Sequence, residues 1–137
     1  MSQHAAVLFA NDAFYLAFTN RDAAAMEAIW SDHPSVSCIH PGWQAVVGRR
    51  DVLDSWRAIL GGSNPPQVRP LGARATLVGE VAVVVCYEEL ESAERLLVAT
   101  NVFAREDGTW KLLHHQAGPS PLEPAQMREA DPETPVQ

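Results

Sequence analysis

The residues best suited to chemistry in this chain crowd between Trp30 and Trp56, in the stretch WSDHPSVSCIHPGWQAVVGRRDVLDSW. Three tryptophans, two His-Pro steps and Cys38 lie there between two amphipathic stretches. Apolar walls with a few convergent polar tips are what the mouth of a small-molecule pocket requires. His40 is the first candidate, because imidazole titrates near neutral pH and serves as a general base or acid. A strand over 36–40 puts Val36, Cys38 and His40 on one face and Ser37 and Ile39 on the other, so an otherwise apolar face presents the ring. The bland alternative is a wall or turn histidine bonded to backbone. His33, between Asp32 and Pro34 at a helix end, suits a capping role beside the carboxylate and the helix dipole.

Other candidates come from later strands. Asn101 shares a face with Leu97, Ala99 and Phe103, where an amide needs a partner from backbone, side chain or ligand. Tyr87 alternates with Val83 and Val85 and offers a hydroxyl to the pocket wall. His114 and His115 are adjacent in a strand and point to opposite faces. Simple alternation groups His114 with Trp110 and Leu112 inside, and His115 with Lys111 and Leu113 outside. Trp30, Trp43 and Trp56 read both as core and as ligand-contacting wall, since aromatic rings fill both kinds of surface. No His or Cys pair has a metal-ligand spacing, so no metal is expected. With no Gly-rich phosphate loop or G-x-S-x-G elbow, no cofactor is expected either.

The elements that must position these groups follow from periodicity. Val7, Leu8, Phe14, Tyr15 and Phe18 mark one face of a helix over 4–19. Asp22 caps a short second helix carrying Met26, Ile29 and Trp30, which Pro34 stops. Pro41-Gly42 turns the chain into a third helix over 49–60, ended by Gly61-Gly62. After Pro66 the period changes to two. Strands over 67–78, 81–91, 95–105 and 109–117 form an antiparallel meander, with turns at Gly79-Glu80, Ser92–Glu94 and Asp107-Gly108. Pro70 and Gly72 bend or bulge the first of these strands. The fold class is therefore α+β, three N-terminal helices on a curved, mainly antiparallel sheet that closes into a cone. Residues 1–121 form the domain. The span 122–137 completes a stretch after Gly118 that holds five of the ten prolines, and reads as a flexible tail.

At 137 residues the chain suits one domain with a true core. A formal charge of -7 argues against nucleic acid or an anionic membrane as partner. Cys38 and Cys86 lie in apolar strand-like runs, which suits reduced thiols in the cytoplasm. The run Val81–Cys86 is apolar on both faces, so the outer sheet face is expected to pair in a homodimer.

The WSDHP step, the HPG turn leading to VVGRRDVLDSW and the last strand TWKLLHHQAGPSP resemble the nuclear transport factor 2 superfamily, more narrowly its SnoaL-like members. The resemblance spans His4 to Pro121. In the steroid isomerases of that superfamily an Asp before a Pro in the first strand is the general base, and a helix-one Tyr with a strand Asp forms the oxyanion hole. Here His40 stands at the base position, Asn101 at the oxyanion Asp, and Tyr15 matches the Tyr. The resemblance implies proton removal next to a carbonyl, with Tyr15 or Asn101 donating to the developing oxyanion. Two classes stay open: an isomerase, cyclase or dehydratase acting on a small, largely apolar organic molecule, and a non-catalytic ligand-binding or dimeric association module.

Overall fold

The computed structural model describes residues 1–130, with side chains through Met127. Helix α1 (Gln3–Thr19) starts where the Ser2 hydroxyl accepts the Ala5 N–H at 3.1 Å, and it buries Val7, Asn11, Phe14, Tyr15 and Phe18 along one stripe. Helix α2 (Ala23–Ile29) is capped by Asp22, whose Oδ1 accepts the Ala25 N–H at 3.0 Å. Helix α3 (Arg49–Leu60) turns Val52, Leu53, Trp56 and Leu60 inward. Its first residue ties it to the end of α2, since the Arg49 guanidinium donates to the carbonyls of Trp30 at 2.9 Å and Ser31 at 2.7 Å. These carbonyls close a helix that offers them no partner of its own, which is a common use for an arginine at such a place.

Six strands form one sheet in the order β2-β1-β6-β5-β4-β3. They are β1 (Ser37–Ile39), β2 (Val46–Val47), β3 (Val68–Val78), β4 (Val81–Leu90), β5 (Leu97–Glu106) and β6 (Thr109–Pro119). Among these described strands the β1–β6 pair is parallel and the other pairs are antiparallel. Trp30, Leu53, Trp56, Val84 and Leu112 are all buried between the helices and the inner sheet face. The bulge expected in β3 lies between Leu71 and Arg74, where Gly72 takes φ 62°, a conformation that costs little without a Cβ. Among the described residues no helix is long and apolar enough to cross a membrane.

Three features differ from expectation. The two-residue strand β2 pairs with β1 at the sheet edge. A fourth helix, α4 (Pro124–Ala130), lies where the flexible tail is expected, and its Met127 is buried against Gly72. The rest of that tail, 131–137, lies outside the described residues. Finally, β6 carries a bulge against β5: Val102 pairs with His114 but Phe103 with Leu112, leaving Leu113 as the extra residue. One extra residue moves every later side chain to the other face.

Candidate functional site

The β6 bulge decides which histidine enters the core. Trp110 and Leu112 face inward, Leu113 is the half-buried residue of the bulge, His114 turns to the outer side, and His115 then points inward at 1% exposure. The expectation that His114 faces the interior is therefore corrected. His114 instead pairs its Nδ1 with the Ser37 hydroxyl at 2.7 Å on the outer side. Across the sheet, the register lines up Cys38, His115, Asn101 and Val84 in one row, so polar groups from three strands meet beneath α1.

Asn101 is the centre of a buried network. Its Nδ2 donates to Asn11 Oδ1 at 2.9 Å and to the Tyr15 hydroxyl at 3.2 Å, and its Oδ1 accepts from His115 Nδ1. A carbonyl oxygen can only accept, so the His115 proton is assigned to Nδ1 and the Nε2 lone pair is left free. That lone pair faces Glu88 Oε2 at 3.9 Å. The Tyr15 hydroxyl donates to the same Oε2 at 2.6 Å and lies 3.3 Å from Cys86 Sγ. Asn11 is fully buried beside the Cys86 thiol.

Burial controls the charges here. It lifts the Glu88 carboxyl to about 7, against a smaller opposite pull from the Tyr15 hydrogen bond. It drops His115 to about 3, with further lowering by the charges His40 and His114 would carry. Tyr15 is raised well above the usual phenol range by burial and then by Glu88. The Cys38 and Cys86 thiols are pushed by burial up to about 12, so neither is a thiolate nucleophile near neutral pH. The cluster thus holds a carboxylic acid that ionises near neutrality beside a neutral imidazole, two titratable groups with their pKa values driven apart.

His40 occupies the inner face of β1 as expected, 3% exposed, with Val36 and Cys38. Ser55 Oγ donates to the Val52 carbonyl at 2.7 Å and so accepts the His40 Nε2–H at 2.9 Å. Trp43 and Trp56 pack edge-on against the ring at 4.7 and 4.8 Å between centroids. Burial lowers its pKa to about 4. The Trp56 indole also contacts His115, at 5.8 Å, and stands beside both imidazoles. Of the three residues assigned chemistry from the sequence, Tyr15 and Asn101 are brought into contact, while His40 bonds Ser55.

The wall residues divide as well. Trp30 and Trp56 are core, each 1% exposed, with the Trp56 indole beside the Cys38 thiol. Trp43 is half exposed and borders an open depression of about 580 Å³ with Val46, Val47 and Asp51. Tyr87 is corrected: it follows Val83 and Val85 to the outer face, because Ala82, Val84, Cys86 and Glu88 take the inner one. That alternation was a readable signal for Glu88. His115 had none, since its orientation depends on how β6 pairs. Among the described residues, His40, Asn101 and His115 line none of the five best-formed surface depressions. Tyr15 does reach one, of about 340 Å³ between α1 and β3, shared with Asp12, Leu16, Arg69 and Pro70. Among the described residues no three His, Cys, Asp or Glu side chains gather as a metal ion requires.

Comparison with known proteins agrees with this architecture. A solved structure from Streptomyces avermitilis, provisionally called a dehydratase of the NTF2-like family, is 33% identical, with 86% of this chain and 96% of that chain covered and a TM-score of 0.76. A provisional calcium/calmodulin-dependent protein kinase type II association domain from Thiobacillus denitrificans is 29% identical over 81% of this chain and 92% of that chain, TM-score 0.74. The CaMKII hub of S. rosetta, 18% identical with 88% and 98% covered and a TM-score of 0.72, shares the fold. The F-box protein SKIP8 of Arabidopsis thaliana is 24% identical over 112 residues, 82% of this chain and 48% of that protein, so the chain spans about half the length of the curated relative it matches. The family model of the SnoaL-like domain matches residues 7–121, and the chain belongs to that family, on the NTF2-like fold.

Proposed function

We propose that this protein binds a small, largely apolar organic molecule at the α1–β3 depression and carries out acid-base chemistry on it, of isomerase, cyclase or dehydratase type, without an organic cofactor. The observation that carries this reading is the Tyr15 hydroxyl. A carboxyl, an amide and a thiol meet it inside an apolar cone, and the same residue borders the depression of about 340 Å³. Tyr15 acts as the donor to a developing oxyanion, with Asn101 Nδ2 donating to the Tyr15 hydroxyl behind it. His40, with its Nε2 proton held by Ser55, serves as wall beside Trp56. The resemblance to a protein provisionally called a dehydratase supports the same class. Two free, buried cysteines suit a reducing compartment, and we place the protein in the cytoplasm.

NMR spectra of ¹⁵N-labelled protein titrated with 2-cyclohexenone and with 4-methylphenol test the site. Shifts gathered on the amides of Leu16, Thr19 and Arg69 and on the Asn101 side-chain amide are expected. If neither probe moves these signals at millimolar concentration, the reading is wrong.

A second reading has its own observation. On the outer sheet face Val83 lies opposite Val102, Val85 opposite Thr100 and Tyr87 opposite Val98, and Val85 is 45% exposed. A homodimer through this face suits an association module, the role named for one relative.

A further inference from the structure

The inner residues of β4 run Ala82, Val84, Cys86 and then Glu88, so an apolar strand face ends on a carboxyl group that is 2% exposed. A carboxyl in such a place is tolerated when a cation pairs with it or when it keeps its proton. Among the described residues no lysine or arginine pairs with Glu88. The groups around it are the Tyr15 hydroxyl from α1, Cys86 on its own strand, His115 from β6 and, farther off, Cys38 from β1. Asp12 lies at the rim, one turn before Tyr15. His115 does not supply the cation, because full burial holds the ring neutral, its Nδ1–H on the Asn101 carbonyl oxygen and its Nε2 3.9 Å from Glu88.

We propose that Glu88 is the acid-base residue of this site, with the Tyr15 hydroxyl as its relay to a ligand in the α1–β3 depression and with Asn101 and His115 as positioning residues. This rests on the acid-base reading above. Burial, which raises the carboxyl toward neutrality, supports it. The ligand class is an uncharged molecule bearing a carbonyl or hydroxyl oxygen. A ligand carboxylate would set a second anion beside Glu88, and Arg69 at the rim is already paired with Glu89 at 2.8 Å. In the step, the Tyr15 oxygen takes a proton from the carbon next to the ligand carbonyl while the Tyr15 O–H proton passes along its hydrogen bond to the Glu88 carboxylate. The relay then runs back: the Glu88 proton returns to the Tyr15 oxygen as Tyr15 gives its proton to the enolate oxygen of the ligand. Over the cycle the ligand gains a proton on oxygen and loses one from carbon, and Glu88 ends as it began.

Two measurements test this. Carbon-detected NMR of ¹³C-glutamate-labelled protein, with Glu88→Gln to assign the signal, is expected to show the Glu88 carboxyl titrating near pH 7; a midpoint below 5 overturns the proposal. The second uses 5-nitrobenzisoxazole, whose ring opens when a base removes its C–H proton and the N–O bond breaks to give a phenolate. Its turnover is expected to rise with the ionisation of one group near pH 7 and to fall about a hundredfold in Glu88→Gln. If 4-methylphenol binds the depression but the variant keeps both rate and pH profile, the role of Glu88 fails while the ligand site stands. If no probe binds and wild type and variant react alike, the acid-base reading falls and Glu88 with it.

Discussion

Three buried groups, His40, His115 and Glu88, couple the stability of this protein to pH in opposing directions. The folded pKa values of His40 and His115 lie near 4 and 3, below the ordinary 6.5. As pH falls below 6.5 the unfolded chain takes up protons that the folded chain refuses, so stability is lost on acidification. Glu88 runs the other way: its folded value near 7 exceeds 4.5, so its contribution is present below pH 4.5 and lost as pH rises through 7. Each group contributes a slope of about 1.4 kcal/mol per pH unit. Two histidines outweigh one carboxyl, so urea unfolding should show stability climbing from pH 4.5 to 6.5, then declining shallowly to a plateau above 7. Glu88→Gln should steepen the climb and remove the decline. Tyr15→Phe deletes the hydroxyl shared by Glu88 and Asn101, with an expected cost of about 1–3 kcal/mol at pH 7 in the same assay.

Bulges set the geometry at the level of elements. In β3, Gly72 combines φ 62° with a close neighbour: a Cβ there would stand 2.3 Å from Met127 Cε. Gly72→Ala should therefore cost about 1–2 kcal/mol, part backbone strain and part contact with α4. Met127→Ala in the same background should relieve the contact alone, and a double-mutant cycle on thermal unfolding separates the two. In β6, the extra residue Leu113 is what sends His115 to Asn101 and His114 to Ser37. Deleting Leu113 should restore simple alternation, with Leu112 and His115 two apart on the inner face, so the His115 ring signals should keep the low pKa that burial gives them.

For the molecule as a whole, the helices cover one sheet face and leave the other bearing a row of valines. Sedimentation velocity at micromolar concentration is expected to show a dimer, and Val85→Lys, at a half-exposed position, should shift it toward monomer without lowering the melting temperature. A monomeric wild type with that face solvated would remove the association reading.

Local pattern alone determined a good part of this protein. The bounds of α3, the Asp22 cap, the strand face of Val36, Cys38 and His40, and the inward turn of Asn101 were legible because side-chain periodicity and capping depend on residues a few positions apart. Glu88 was legible in the same way, by alternation from Ala82, although its chemistry required knowing that α1 brings Tyr15 over it. Tertiary structure decided the rest. A bulge belongs to a pair of strands, so the exchange of His114 for His115 could not be read from β6 by itself. The pKa values of Glu88, His40 and His115 follow from burial, and burial is fixed by packing between segments far apart in the chain.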